Sequence, residues 1–225
     1  MAQIPLDIVL FDLDGTLLDT AADISMALNR VLVNRGLEPL PYEMLRSRVY
    51  GGSRTLLKDA LQLEEGQPEF EQMKKEFHQH YRNNLVEKTV LFEGMEEVLR
   101  HLESHTIPWG IVTNKPVWLA EPLLKAFALH QRMACLIGGD TLSVTKPHPE
   151  PLLHACKLTR TLPEHSWYIG DSEVDMQAAK AARMRSFVAA YGYIPEDTDP
   201  KAWGADEILY SPRDLLHYLK QPKAE

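Results

Sequence analysis

Two cysteines in 225 residues, Cys135 and Cys156, are too few for a disulfide framework, and buried reduced thiols are the better expectation. Long apolar runs are missing as well. No stretch approaches the roughly 20 residues that a membrane span needs. Near the amino terminus there is no basic segment, and Asp7, Asp12 and Asp14 interrupt the one apolar stretch, so no secretory signal is expected. A reducing, cytoplasmic setting follows. Basic charge is in deficit, with 24 Lys and Arg against 32 Asp and Glu, a formal net charge of −8. That balance argues against a nucleic-acid partner, which needs a basic face, and against docking on anionic lipid. No Gly-x-Gly-x-x-Gly follows a strand-like run, so a nucleotide cofactor has no support. Repeats and low-complexity segments are absent, and the one tail is a short polar end, Gln221 to Glu225.

What is present is core material: 44% of the residues are hydrophobic, enough for one sizeable domain and a smaller one. Short apolar runs rich in strand formers recur at 7–11, 109–113, 134–137, 167–169 and 186–189. Helical patterns lie between them at 95–105, 118–127 and 175–183. Strand and helix alternate, which predicts an α/β fold with a doubly wound parallel sheet covered on both faces. The stretch from 19 to 87 differs. Ile24, Leu28 and Val31 recur at helical spacing behind Asp19 or Thr20 as N-cap, and further helical segments follow around 41–49, 54–61 and 69–83. The expected organisation is a core of residues 1–18 and 88–225, interrupted once by an all-helical insertion over 19–87.

Ligands of open α/β sheets bind at the carboxyl ends of the strands. Those ends carry Asp12 and Asp14, then Thr113 and Asn114, and later Asp171 and Asp175, with Lys146 in a Pro-bounded loop. Asp12 and Asp14 share a side if strand geometry continues through them. Two carboxylates on one side serve as nucleophile and general acid/base, or as a metal site, although Asp-x-Asp-Gly alone is equally a turn with Asx hydrogen bonds. Asp171 and Asp175 lie on one face if a helix begins there. The same pattern is also that of an ordinary helix N-cap. An oxygen-rich set of Asp12, Asp14 and Asp171 suits a hard divalent cation, Mg²⁺ first among them. Four ionised carboxylates against Lys146 would repel a phosphate dianion, so such a site works on phosphate only with the metal present. His101 and His105 are four apart but lack a third ligand, and His78 and His80 read as polar surface.

Asp12-Leu13-Asp14-Gly15-Thr16, Thr113-Asn114, Lys146-Pro147 and Gly170-Asp171-Ser172-Glu173-Val174-Asp175 resemble, in order, the four motifs of the haloacid dehalogenase superfamily. The resemblance implies a Mg²⁺-dependent phosphatase of small phosphomonoesters that works through an aspartyl phosphate. Asp12 would be the nucleophile and Asp14 the acid/base, touching the metal through its backbone carbonyl. Lys146, Thr113 and Asn114 would hold the phosphoryl group. Asp171 would ligate the metal, while Asp175 would orient Lys146 or bind the ion weakly. The acid at position 14 favours phosphoryl transfer over dehalogenation; a sugar-phosphate phosphomutase is the enzymatic alternative. Insertion directly after the first motif resembles the helical cap of the phosphoglycolate-phosphatase-like group, in which Arg48 or Arg54 would read a substrate carboxylate. The stretches Thr113–Val117, Ala120–Pro122, Tyr191–Asp197 and Trp203–Asp206 look closer to the N-acetylmuramic acid 6-phosphate phosphatases of peptidoglycan recycling. Oligomeric state is not legible.

Overall fold

A computed structural model of the chain describes residues 6–219; the polar end Gln221 to Glu225 lies outside them. Strand β1 (Ile8–Phe11) is central in a six-stranded sheet. The other strands of that sheet are β4 (Trp109–Val112), β5 (Leu136–Ile137), β6 (Ser166–Gly170), β7 (Arg185–Ala189) and β8 (Glu207–Leu209). Their order is β5-β4-β1-β6-β7-β8, and every pairing is parallel. Period two explains the two cores. Val9 and Phe11 face one hydrophobic cluster with Ile111, Ile169 and Phe187, while Ile8 and Leu10 face another with Val112, Ile137 and Tyr168.

Helices cover both faces. On the first, α5 (Met95–Ser104), α6 (Val117–Ala126) and α9 (Leu215–Leu219) contribute Leu99, Leu123 and Leu215. On the second, α7 (Glu150–Thr159) and α8 (Glu173–Ala181) contribute Leu152, Ala155 and Ala178. The expected doubly wound α/β core is therefore what the chain adopts.

Between the first strand and the rest of the sheet stand α1 (Ala21–Asn34), α2 (Tyr42–Arg46), α3 (Gly52–Leu61) and α4 (Pro68–Asn83). Ile24, Leu28 and Val31 of α1 are buried together with Phe70, Met73 and Phe77 of α4. Two strand pieces that periodicity did not signal, β2 (Leu18–Asp19) and β3 (Val90–Leu91), pair antiparallel where the chain enters and leaves these helices. Two residues are too few to carry a period. β8 was also unforeseen; it begins with Glu207 and forms the sheet's edge.

Local chemistry differs from expectation at the start of α1. Thr20 occupies the N-cap position but makes no side-chain cap, because its hydroxyl donates to Asp14 Oδ1 at 2.6 Å. Asp19 instead accepts from the Tyr193 hydroxyl at 2.9 Å. Among the described residues no helix is long and apolar enough to cross a membrane. Cys135 and Cys156 are both buried and unbridged.

Candidate active site

The strand ends converge as the topology requires. Asp12 follows β1, Thr113 and Asn114 follow β4, and Asp171 follows β6. At the centre is Lys146, almost fully buried, whose Nζ donates to Val112 O (3.0 Å), the Tyr168 hydroxyl (2.7 Å) and Asp175 Oδ1 (2.7 Å). The same ammonium lies 3.0 Å from Asp12 Oδ1. Burial opposes its charge, but Asp12 and Asp175 outweigh that cost and hold its pKa above the ordinary lysine value. The Asn114 side chain clamps the same loop: its Nδ2 donates to Lys146 O and its Oδ1 accepts from Lys146 N, each at 3.0 Å. Both ends of that amide are thus engaged by Lys146 backbone, whereas Thr113 Oγ1 accepts from Lys115 N.

The two acids of the first motif part company. Strand geometry ends at Phe11, so the expectation of a shared side does not carry through. Asp12 faces Lys146; both carboxylate oxygens of Asp14 accept from Lys115 Nζ at 3.0 Å, with Thr20 Oγ1 adding a third bond. Helix α8 begins at Glu173, after Ser172 as N-cap, so Asp171 and Asp175 do not share a helical face either. Asp175 closes a capping box with Ser172, accepting from its amide and hydroxyl through Oδ2. Its other oxygen holds Lys146.

One carboxylate oxygen each from Asp12, Asp171 and Asp175 lies within 4.8 Å of the other two. Asp171 Oδ2 has the Tyr193 N–H at 2.9 Å, and Asp12 Oδ1 is buried without a well-formed hydrogen bond. Three carboxylates thus face one ammonium. Burial raises the Asp12 pKa to about 6 despite the opposing pull of Lys146. Burial, then the charges of Asp12 and Asp175, push Asp171 well above the carboxylate range. Crowded, hard oxygen donors with unmet negative charge fit a divalent cation such as Mg²⁺. The carboxylate of Asp14 lies outside this trio, held by Lys115 and Thr20. Asp175 lies inside it, but with both oxygens already committed to protein donors.

Above these residues opens a cleft of about 390 Å³. Asp14, Thr113, Asn114, Lys115 and Ser172 line it from the core side, and Ile24, Val49, Tyr50, Phe77, His78 and Tyr81 from the helical insertion. Lys115 is the one Lys or Arg among its lining residues, and it also donates to the Tyr81 hydroxyl of α4 at 2.9 Å. Reasoning from sequence gave Lys115 no role, although its place directly after Thr113-Asn114 was the available signal. Arg48 and Arg54 are not among the cleft's lining residues: Arg54 is exposed, and Arg48 sits by a separate shallow depression with Lys58, Asp59, Gln62 and Glu64. Of the three arginines around the Gly51-Gly52 turn, Arg46 is the one that reaches the core, where its Nη1 donates to Gly192 O at 3.2 Å. His78 is not plain polar surface. It is half-buried in the cleft edge-on to Trp118, and burial, with Lys74 and Lys115 nearby, lowers its pKa to about 4.

Residues 9–189 match the family model described as haloacid dehalogenase-like hydrolase. The chain is 38% identical over 207 residues to the N-acetylmuramic acid 6-phosphate phosphatase of Pseudomonas putida, covering 92% of this chain and 93% of that one. Over 215 residues it is 43% identical to the phosphoglycolate phosphatase of Xanthomonas campestris pv. campestris, covering 96% and 97%. The crystal structure of a predicted phosphoglycolate phosphatase from Haemophilus somnus superposes with a TM-score of 0.86 at 26% identity, covering 96% of this chain and 98% of that one. A family model spanning most of the chain, and relatives aligned nearly end to end, meet a site with all four motifs at the carboxyl ends of the parallel strands: this protein is an enzyme of the haloacid dehalogenase-like hydrolase family.

Proposed function

We propose that the chain is a Mg²⁺-dependent phosphomonoesterase that uses Asp12 as its nucleophile. The observation that carries this reading is the Asp12–Lys146–Asp175–Asp171 cluster, whose chain neighbours Asp14 and Ser172 line the cleft. An Asp12 oxygen attacks phosphorus, the bond from phosphorus to the leaving oxygen breaks, and Asp14 gives that oxygen its proton. Asp14 then takes a proton from the water that attacks the aspartyl phosphate, releasing inorganic phosphate and restoring the Asp12 carboxylate. Lys146 fixes Asp12 and offsets charge on the transferring group, and Asn114 fixes Lys146. Asp12, Asp171 and the Asp14 carbonyl are the groups that would hold the cation, which when bound neutralises charge on the phosphoryl oxygens. Asp175 supports this set by orienting Lys146.

Residues 19–87 serve as the cap and 1–18 with 88–225 as the catalytic core, the β2–β3 pair marking the hinge between them. Cap residues exclude water and choose the substrate. A cleft of about 390 Å³ with Phe77, Tyr81 and Val49 in its walls is roomier and more apolar than a two-carbon phosphomonoester requires. That favours N-acetylmuramic acid 6-phosphate over 2-phosphoglycolate, the substrates in the names of the two relatives. Either would be met in a cytoplasmic setting. The deciding experiment compares kcat/KM with Mg²⁺ for these two compounds and glucose 6-phosphate. A preference of about a hundredfold, or about 2.7 kcal/mol in transition-state binding, for the muramic acid derivative is expected. An equal preference for phosphoglycolate would overturn the substrate assignment, and no turnover of any phosphoester, or undiminished turnover in Asp12→Asn, would overturn the activity.

A further inference from the structure

The stretch from Tyr191 to Asp197 is not accounted for by the four motifs, yet its first three residues, Tyr191, Gly192 and Tyr193, lie against the site. Tyr193 is buried, and its hydroxyl uses its full hydrogen-bonding capacity. It accepts from the backbone N–H of Thr20 at 2.6 Å and of Ala21 at 2.9 Å, and donates to Asp19 Oδ1 at 2.9 Å. A phenol from the core therefore supplies an acceptor to two of the otherwise unpaired amides at the start of α1, those of the N-cap residue and of the first helical residue. Thr20, whose amide the phenol holds, makes no side-chain cap and gives its hydroxyl to Asp14. From the other end of the same residue, the Tyr193 N–H holds Asp171 Oδ2. The ring carries a third connection. Arg46 of α2 lies over it at 5.1 Å, with its guanidinium also reaching Gly192 O and, at 3.6 Å, Asp19 Oδ2.

We propose that Tyr193 is a positioning residue that acts on Asp14 through Thr20, so that the seating of the helical insertion and the aim of the acid/base depend on one hydroxyl. The chain of contacts is Asp171, Tyr193, Thr20, Asp14, and each link is a direct hydrogen bond. Removing the hydroxyl leaves two amides at the start of α1 without an acceptor and leaves Asp19 with Arg46 alone. The amide bond to Asp171 survives, because it is backbone. The inference rests on the phosphatase reading for its catalytic consequence, but not for the anchor itself.

The test uses Tyr193→Phe, Thr20→Val, the double variant and Thr20→Ser, all in the full chain with Mg²⁺. Two kinds of substrate separate positioning from general damage. p-Nitrophenyl phosphate has a leaving group stable without protonation, whereas an alkyl phosphate needs the proton from Asp14. The alkyl substrate is the better turned over of 2-phosphoglycolate and N-acetylmuramic acid 6-phosphate. Tyr193→Phe is expected to lower kcat/KM for it about tenfold further than for p-nitrophenyl phosphate. Thr20→Ser should stay within about twofold of wild type, and the double variant should fall no lower than the worse single, as expected of residues in one chain. Equal losses on both substrates, or losses that multiply in the double variant, overturn the proposal. Amide hydrogen exchange at Thr20 and Ala21 reads the anchor without any substrate. It should quicken by about tenfold or more in Tyr193→Phe, and unchanged exchange overturns the anchor. If wild type turns over no phosphoester, the phosphatase reading falls while the exchange result still judges the anchor.

Discussion

Gly15 is required twice over. Its φ of +80° lies in the region that favours glycine, and a Cβ there would run into Asp171 Oδ2. Gly15→Ala is therefore expected to push Asp171 out of the carboxylate trio and weaken Mg²⁺ binding by about tenfold or more, read by calorimetry on the folded variant. Unaltered affinity would remove Asp171 from the ligand set. Lys146 poses a different question, because removing it leaves Asp12 and Asp175 facing each other with no cation. Lys146→Met should lower unfolding stability by about 3–5 kcal/mol, as the loss of one partner from a buried ion pair does. A loss under about 1 kcal/mol in denaturant titration would show that the two acids simply share a proton. His78 sets a pH dependence with a definite sign. Its folded pKa is depressed to about 4 from 6.5, so the fold prefers the neutral ring. Above pH 6.5 it has no effect; as pH falls from 6.5 toward 4 the unfolded chain binds the proton first and stability is lost. His78→Gln should flatten the fall of Tm across that window, and an unchanged slope would assign the loss to other groups.

Elements, rather than single side chains, decide how the helical insertion is hung. Asp23 on α1 accepts from the amides of Lys88 and Thr89 and from the Thr89 hydroxyl, all between 2.7 and 3.1 Å. It ties the first helix after β2 to the segment that leads into β3, so entry and exit strands are braced by one buried carboxylate. Asp23→Ala leaves those donors without their acceptor, the two of Thr89 buried. Unfolding stability should drop by about 2–4 kcal/mol, with hydrogen exchange quickening at Lys88 and Thr89 before it does in β1. Uniform quickening across the sheet would mean that the hinge is not a separate unit. This arrangement also explains what was legible beforehand. α1 and α4 announce themselves through apolar residues at helical spacing, and β1, β4, β6 and β7 through short apolar runs. β2 and β3 hold two residues each and are made by the ladder between them, which no local pattern contains. Asp12, Lys146 and Asp171 could be placed because strand ends and spaced motifs are local features. Tyr193 and Tyr81 could not, since their importance lies in hydroxyls reaching Thr20 and Lys115 across 173 and 34 positions of sequence.

At the scale of the whole molecule, the two acids of the first motif belong to two different systems. Asp12 sits with Asp171 and Asp175 around Lys146 in the core, while Asp14 is held by Lys115 and Thr20 beneath residues of the insertion. The first system holds excess negative charge and the second balances its carboxylate with an ammonium. A cation that binds the folded chain and not the unfolded one stabilises it by RT ln(1 + [L]/Kd), about 2.7 kcal/mol at a hundredfold excess over Kd. For a chain of this size that corresponds to a rise in Tm of about 5–10 °C. Mg²⁺ titrated against metal-stripped protein should produce such a rise, and chelation should reverse it. The variants then separate the two systems. Asp171→Asn removes a charged ligand and should abolish most of the shift together with turnover. Asp14→Asn leaves the trio intact, and its backbone carbonyl is unchanged, so it should keep most of the shift while losing turnover of alkyl phosphates. If Asp14→Asn erased the shift as completely as Asp171→Asn, its carboxylate would belong with the metal ligands and the division between the systems would be wrong. If wild type showed no shift at all, the carboxylate trio would be satisfied by protons, in keeping with the raised pKa values of Asp12 and Asp171, and the cation would have no place in the site.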